Sequence, residues 1–357
     1  MTPFRSEVSL SPAHVTRLEA VPSLARPHGI YLMEPRILDL VYGPAERTNL
    51  EASLDFFVPP QTASRQERLT AEQRAMVEVI VTSWGMPRLT PEFLAQYPRL
   101  KAVFYGAGSV RSFVTDESWR RGVRIVTAAN ANALPVAEFA FAQTILGLKR
   151  AWPQAAAVRE TKRFVRTGGT PVGTYGSTVG LLALGHIGRL MAERLRTIGV
   201  SVLAYDPYVA PEIAESLGVQ LTSLDDLLAR SHVVSCHLPL VPETEGMLGA
   251  AHFRRLRPGA VFINTARGEV IVEQEMIEAL RERPDILALL DVTDPEPPVA
   301  GSPLFDLPNV ILTPHIAGSL GPECRRLGES IAADVARYVR GEPIANEVTE
   351  SEAAHQA

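Results

Sequence analysis

The stretch Thr178-Val179-Gly180-Leu181-Leu182-Ala183-Leu184-Gly185-His186-Ile187-Gly188 decides the fold. Thr178 to Ala183 is a short apolar run with the character of a fully buried strand, and Gly185-His186-Ile187-Gly188 is a tight turn. From Arg189 to Ile198 the apolar residues Leu190, Met191, Leu195 and Ile198 fall on one helical stripe. The next strand, Val200 to Tyr205, stops at Asp206-Pro207. This is a βαβ unit that closes on an acid.

The glycines of such a unit have separable jobs in a dinucleotide site: one makes the turn, one lets the backbone approach a pyrophosphate, and one allows helix and strand to pack closely. Gly185 and Gly188 take the second and third jobs, with His186 and Ile187 between them at the positive end of the helix, where a diphosphate is favoured. Ala183 holds the first position, and its methyl group predicts a slightly displaced turn. Asp206, at the end of the second strand, is placed to accept hydrogen bonds from ribose hydroxyls and to repel a 2′-phosphate. NAD is therefore expected as cofactor rather than NADP.

Outward from this unit the alternation continues. A short helix over Leu224 to Leu228, capped by Ser223 with Asp226 at its third position, precedes strands at Val233 to His237 and Ala260 to Asn264. A helix over Glu273 to Arg283 and strands at Ile286 to Asp291 and Val310 to Leu312 complete the pattern of a doubly wound parallel α/β sheet. Upstream, Ile30 to Met33, Val77 to Thr82, Lys101 to Tyr105 and Val123 to Val126 read as strands of a smaller α/β domain, and Thr90 to Tyr97 as a capped helix. Helices over Leu134 to Leu148 and Pro322 to Arg340 are expected to cross between the two parts. The expected division is 1–132 with 320–346 as substrate domain, 133–319 as dinucleotide domain, and 347–357 as a polar tail.

Three polar residues stand just beyond three successive strands. They are Arg267 in Asn264-Thr265-Ala266-Arg267-Gly268, Glu296 in Asp291-Val292-Thr293-Asp294-Pro295-Glu296-Pro297, and His315 in Pro314-His315-Ile316-Ala317-Gly318. Ligands of open α/β sheets bind beyond the carboxyl ends of the strands, so the three can converge on one site. A guanidinium grips a carboxylate with two hydrogen bonds, and an imidazole moves a proton. A carboxylate beside the imidazole fixes its tautomer and favours the imidazolium. Taken singly, each residue reads as a surface ion pair, a turn or a satisfied polar group; their ordered occurrence at three strand ends is what points to a site. His186, His232, His237 and His252 lack that context, and His237 is expected to line the cofactor cleft.

These segments, with Val233-Val234-Ser235-Cys236-His237-Leu238-Pro239-Leu240 and Pro242-Glu243-Thr244, resemble the D-isomer-specific 2-hydroxyacid dehydrogenases, closely over Gly176 to Gly318 and only in outline over residues 1 to 130. The resemblance implies a Rossmann domain with a discontinuous flavodoxin-like substrate domain, and hydride transfer between NAD and a 2-hydroxy or 2-keto acid. It further implies that Arg267 binds the carboxylate and polarises the carbonyl, that His315 is the acid/base, and that Glu296 assists it. Pro239, Thr244, Thr265, Ala266 and Gly318 are implied to border the cofactor along with His237 and His315, and Asp291 to meet the nicotinamide amide. Gly106-Ala107-Gly108-Ser109 is placed to bind the substrate carboxylate opposite Arg267 through Gly108 and Ser109, and reads equally as a turn of small residues. This chain departs from the family pattern at Ala183, at Ser109 where glycine is usual, at Arg111 where an aspartate often follows, and at Glu269 where a small residue is common. Trp84 and Met86 are pocket candidates, or buried core residues at a strand end.

The 357 residues, 46% of them hydrophobic, suffice for about two domains, and the formal charge of -5 argues against nucleic acid as the main partner. Two cysteines, Cys236 and Cys324, give neither a disulfide framework nor metal-ligand spacing. Residues 1 to 30 carry Glu7, His14, Arg17, Glu19 and Arg26 with no apolar core run, so no signal peptide, membrane span or membrane partner is expected, and the cytoplasm is the expected compartment. The family's habit predicts a homodimer. Some relatives are corepressors that bind protein partners, so an NAD(H)-sensing interaction protein on the same fold is the alternative to the enzyme.

Overall fold

The computed structural model describes residues 26–59, 68–164, 166 and 171–355. Glu7, His14, Arg17 and Glu19 lie outside the described residues. Strands β1 (Gly29–Tyr31), β2 (Val79–Thr82), β3 (Ala102–Tyr105) and β4 (Arg124–Thr127) form a parallel sheet. A second parallel sheet contains β5 (Thr178–Leu182), β6 (Ser201–Tyr205), β7 (Val219–Leu221), β8 (Val233–Cys236), β9 (Val261–Asn264), β10 (Leu287–Leu290) and β11 (Val310–Leu312). A last strand, β12 (Glu347–Val348), joins the first sheet antiparallel to β4.

The second sheet has the order β11-β10-β9-β8-β5-β6-β7. The chain therefore winds outward from β5 to β7, returns, and winds outward again from β8, so the order reverses between β5 and β8. That reversal opens a crevice at the carboxyl ends of these strands, where α/β folds hold their ligands. The apolar runs are continuous because alternate residues enter two cores: Leu181 and Ile263 face one, Leu182 and Phe262 the other. The arrangement is the doubly wound Rossmann fold read from the sequence.

Several boundaries differ from the sequence reading, each for a local reason. The helix after β5 runs His186–Leu195, so His186 to Gly188 belong to its first turn rather than to the preceding turn. Gly188 has to be glycine there, since a Cβ would lie 2.2 Å from the Ala183 carbonyl oxygen. Ala183 makes the turn itself with φ 76°, in the left-handed region that costs an L-residue roughly 1–2 kcal/mol. The first crossing helix is Ala129–Leu148 rather than Leu134 to Leu148, and Pro135 lies inside it. Burial of Ala133, Val136, Ala137 and Ala140 carries the helix through the missing hydrogen bond. The second crossing helix, Cys324–Val339, packs against the first and onto the opposite sheet.

Residues from Glu347 were expected as a polar tail, and this is corrected. Glu347–Val348 closes the edge of the first sheet, Val348 and Ala353 are buried in its core, and Arg124 donates twice to the Glu347 carboxylate at 2.6 Å. A two-residue strand has no periodicity to read; its partner strand and this bidentate pair hold it.

Candidate active site

All the site residues read from the sequence lie beyond the carboxyl ends of strands. At β5 and β6, Gly185 caps the His186–Leu195 helix with extended backbone, and the space where its Cβ would project is open. A pyrophosphate fits there against the helix N-terminus, with His186 and Ile187 beside it. Asp206 is fixed as well as charged. One carboxylate oxygen accepts from Leu184 N–H at 2.8 Å, and the other from Tyr208 and Val209 N–H at 2.9 and 3.1 Å. The acid therefore ties the glycine turn to the neighbouring strand end and stands where a ribose would lie. The open cradle and the fixed acid fit an NAD.

Across the crevice, at the end of β8, His237 is buried with Nε2 3.0 Å from Ser235 Oγ and Nδ1 without a partner among the described residues. Burial pushes its imidazole down to about 4, so it is neutral at pH 7. The Thr244 hydroxyl is committed to the loop, donating to the Pro239 carbonyl at 2.5 Å and accepting from Val241 N–H at 3.0 Å. At the end of β9, the Thr265 hydroxyl is buried and unpartnered among the described residues, and Ala266 and Arg267 follow it.

Strands β9, β10 and β11 are neighbours in register, with Asn264 beside Leu290 and Leu290 beside Leu312, so their loops leave side by side. Asn264 clamps the first loop, accepting from Ala266 N–H at 3.0 Å and donating to the Arg267 carbonyl at 2.9 Å. Arg267 donates through Nη1 to the Ala266 carbonyl at 2.6 Å, and its other N–H groups have no partner among the described residues. Its burial lowers its pKa, Glu269 and Glu296 oppose that, and the like charge of Arg111 adds to it. Gly268 presses on the next loop, where a Cβ would lie 2.1 Å from Thr293 backbone atoms. That close approach brings the Arg267 loop against the segment carrying Glu296.

His315 Nδ1 lies 2.6 Å from Glu296 Oε1. With the Glu296 carboxylate as acceptor, Nδ1 carries the proton, which leaves Nε2 of the half-exposed ring as the nitrogen that can give or take one. His315 adopts φ 52°, a left-handed backbone that an imidazole-bearing residue rarely takes without a framework. Asp291 is that framework. Its carbonyl accepts from His315 N–H at 3.0 Å, and its carboxylate accepts from Thr313 Oγ1, Ile316 N–H and Ala317 N–H at 2.5, 2.9 and 2.8 Å.

Gly108 and Ser109 lie beyond β3 in the other sheet. Asn132, in the first turn of the crossing helix, accepts from Ser319 N–H at 2.9 Å, and Cβ atoms on Gly318 and Gly108 would come within 3.4 and 3.7 Å of it. The His315 loop and the Gly108 loop thus meet on one side chain. Trp84 is partly exposed beyond β2, whereas Met86 is buried among Ile30, Leu89 and Phe93 and is a core residue, not a pocket one. Asn132, Asn264 and Thr313 escaped the sequence reading. Asn264 is the polar last residue of an otherwise apolar strand, Thr313 directly follows the strand Val310–Leu312, and Asn132 lies in the first turn of the crossing helix.

The profile of the "D-isomer specific 2-hydroxyacid dehydrogenase, NAD binding domain" matches residues 142–317. The D-3-phosphoglycerate dehydrogenase of Mycobacterium tuberculosis (strain ATCC 25618 / H37Rv) is 38% identical over 251 residues, covering 70% of this chain and 47% of the relative. That of Archaeoglobus fulgidus is 32% identical over 291 residues, covering 82% of this chain and 55% of the relative. The chain spans about half the length of the curated relatives it matches. Among solved structures, the apo D-mandelate dehydrogenase of Rhodotorula graminis superposes with a TM-score of 0.78 at 22% identity, covering 91% of this chain and 98% of that one. The NAD-complexed D-isomer specific 2-hydroxyacid dehydrogenase of Lactobacillus delbrueckii ssp. bulgaricus has a TM-score of 0.74 at 22% identity, covering 90% and 99%. These two likenesses speak for the fold, and the profile match for the cofactor. With residues 142–317 forming its NAD-binding domain, the chain belongs to the D-isomer specific 2-hydroxyacid dehydrogenase family.

Proposed function

We propose that this protein is an NAD-dependent oxidoreductase that interconverts a D-2-hydroxy acid and its 2-keto acid. The observation that carries this reading is the 2.6 Å contact between Glu296 and His315, set beside the part-buried Arg267 and held by the Asp291 brace. Bound nicotinamide supplies or accepts the hydride. In the reductive direction, Arg267 grips the substrate carboxylate with its free donors and turns one of them on the carbonyl oxygen, where negative charge develops. His315 delivers its Nε2 proton to that oxygen, and Glu296 stabilises the imidazolium beforehand. In the oxidative direction the same imidazole, neutral, removes the hydroxyl proton.

Asp206 receives the ribose hydroxyls, Gly185 the pyrophosphate, and Asp291, while bracing the His315 loop, keeps one lone pair of its second oxygen for the nicotinamide amide. His237 and Thr265 offer buried, unpartnered polar atoms beside the crevice, which supports a ligand there. A homodimer is supported by the exposed Phe164, Val172 and Tyr175 beside the Ala151–Thr161 helix, none of whose residues is buried. Among the described residues no helix is long and apolar enough to cross a membrane.

The test is NADH oxidation against glyoxylate, hydroxypyruvate, pyruvate and phenylpyruvate. Turnover of at least one, abolished in an R267Q variant, is the expected result. No turnover of any 2-keto acid, with NADH still bound, would replace the enzyme by a cofactor-sensing binding protein.

A further inference from the structure

Glu273 opens the Glu273–Glu282 helix, which Met276, Ile277, Ala279 and Leu280 seat in the core, so it stands on a rigid mount. Its part-buried carboxylate reaches the segment that follows β10 and accepts from Asp294 N–H at 3.1 Å. Among the described residues no cation pairs with it, whereas Glu282, at the far end of the same helix, pairs with Arg254. Burial pushes its carboxyl up, the Asp294 N–H bond opposes that, and the charge of Asp294 adds to it. A carboxylate in such a place is costly to bury, and the single bond it makes is the reason to ask what that bond holds.

It holds the loop that carries Glu296. In the run Asp294-Pro295-Glu296-Pro297-Pro298 the three prolines have no N–H to give. Asp294 supplies the one backbone donor of this run that has a partner among the described residues. Gly268 packs on the peptide between Thr293 and Asp294 from the Arg267 side, and Thr293 Oγ1 donates to the Pro295 carbonyl at 2.9 Å. The peptide is wedged from one side and tethered from the other. Glu296 follows directly, with its carboxylate 2.6 Å from His315 Nδ1.

We propose that Glu273 is a positioning residue for the proton transfer: by accepting the Asp294 N–H it holds Glu296 against His315 and so fixes the imidazole before a substrate arrives. This rests on the dehydrogenase reading above. The role requires a hydrogen-bond acceptor at the reach of a glutamate side chain and does not require its charge, because Glu296 supplies the charge that faces the imidazole. Misplacing a reacting group by about 1 Å can cost about 10²-fold in rate; the Gly268 contact survives loss of the tether, so a smaller effect, about tenfold in kcat, is expected.

The experiment measures kcat, KM and NADH affinity for the full chain and its E273Q, E273D and E273A variants, with whichever of glyoxylate, hydroxypyruvate, pyruvate and phenylpyruvate the wild type reduces fastest. E273Q keeps the acceptor and its reach and should retain most of kcat. E273D keeps the charge at the helix N-terminus but falls short of Asp294, and should lose about tenfold in kcat, as E273A does, with NADH affinity unchanged. Should E273A not fold, E273Q and E273D decide alone. Beside E296A, where no carboxylate remains to be positioned, E273D should add little further loss. An unchanged kcat in E273D, an equal loss in E273Q, a matching loss of NADH affinity, or a loss that persists in full beside E296A overturns the positioning role and leaves the dehydrogenase reading standing. A wild type that reduces none of the four acids, with NADH still bound, refutes that reading and this proposal with it.

Discussion

Lowering the pH from 7 to 5 should destabilise this protein through His237 in particular. The ring is 8% exposed, its Nε2 meets Ser235 Oγ, and its Nδ1 is buried without an acceptor, so protonation would strand an N–H in a site that gives it nothing. Its pKa of about 4 in the folded chain compares with about 6.5 when unfolded. Between those values the unfolded chain binds more protons, so stability is fully present above pH 6.5 and is lost as the pH falls towards 4. At pH 5 the loss is about 2 kcal/mol, from about 1.36 kcal/mol per pH unit over the 1.5 units below the unfolded value. His186 and His232 are also lowered by burial and contribute with the same sign, so the informative quantity is a difference. Urea unfolding of the wild type and of H237Q at pH 7 and pH 5 supplies it: the wild type should lose about 2 kcal/mol more than the variant. Equal losses, or a His237 imidazole seen by NMR to titrate near its ordinary pKa, would refute the reasoning.

Asp206, fixed by three backbone N–H groups, should make NADH bind at least tenfold tighter than NADPH, about 1.4 kcal/mol, and fluorescence titration showing equal affinities would remove it from the ribose site. His315→Ala should slow turnover by roughly 10²-fold or more with little change in NADH affinity; a near-normal rate would mean that another group moves the proton. Arg267→Lys should raise KM and lower kcat together, because an ammonium lacks the planar two-point contact. Steady-state kinetics on that variant decide the point, and an unchanged kcat would reduce Arg267 to an anchor.

Much of this site was legible in the sequence because its parts sit at strand ends, and strands buried on both faces announce themselves as unbroken apolar runs. Thr178 to Leu182, Val233 to Cys236 and Val261 to Asn264 are of that kind, and the residues just past them follow by counting. What periodicity cannot show is how a loop turns once its strand has ended. Thr244 looked like a cofactor contact, and its hydroxyl proves to be spent on stapling its own loop. Residues 347–357 read as a polar tail because the strand that Glu347 and Val348 pair with, β4, lies more than two hundred residues earlier in the chain.

Asp291 carries the point furthest. Counting places it one residue past β10, where the resemblance gives it to the nicotinamide, yet its carboxylate binds Thr313, Ile316 and Ala317, and its carbonyl binds the His315 N–H. A residue with φ 52° stays there only if its surroundings outweigh a conformational cost of roughly 1–2 kcal/mol, and four hydrogen bonds accepted by one aspartate do so. Asn264 acts in the same way on the Arg267 loop from the end of β9. The parallel sheet thus sets where the guanidinium and the imidazole emerge, and the polar residue at each strand end fixes how they are aimed. The placement proposed for Arg267 and His315 depends on both, since neighbouring strands in this register let their two loops leave side by side.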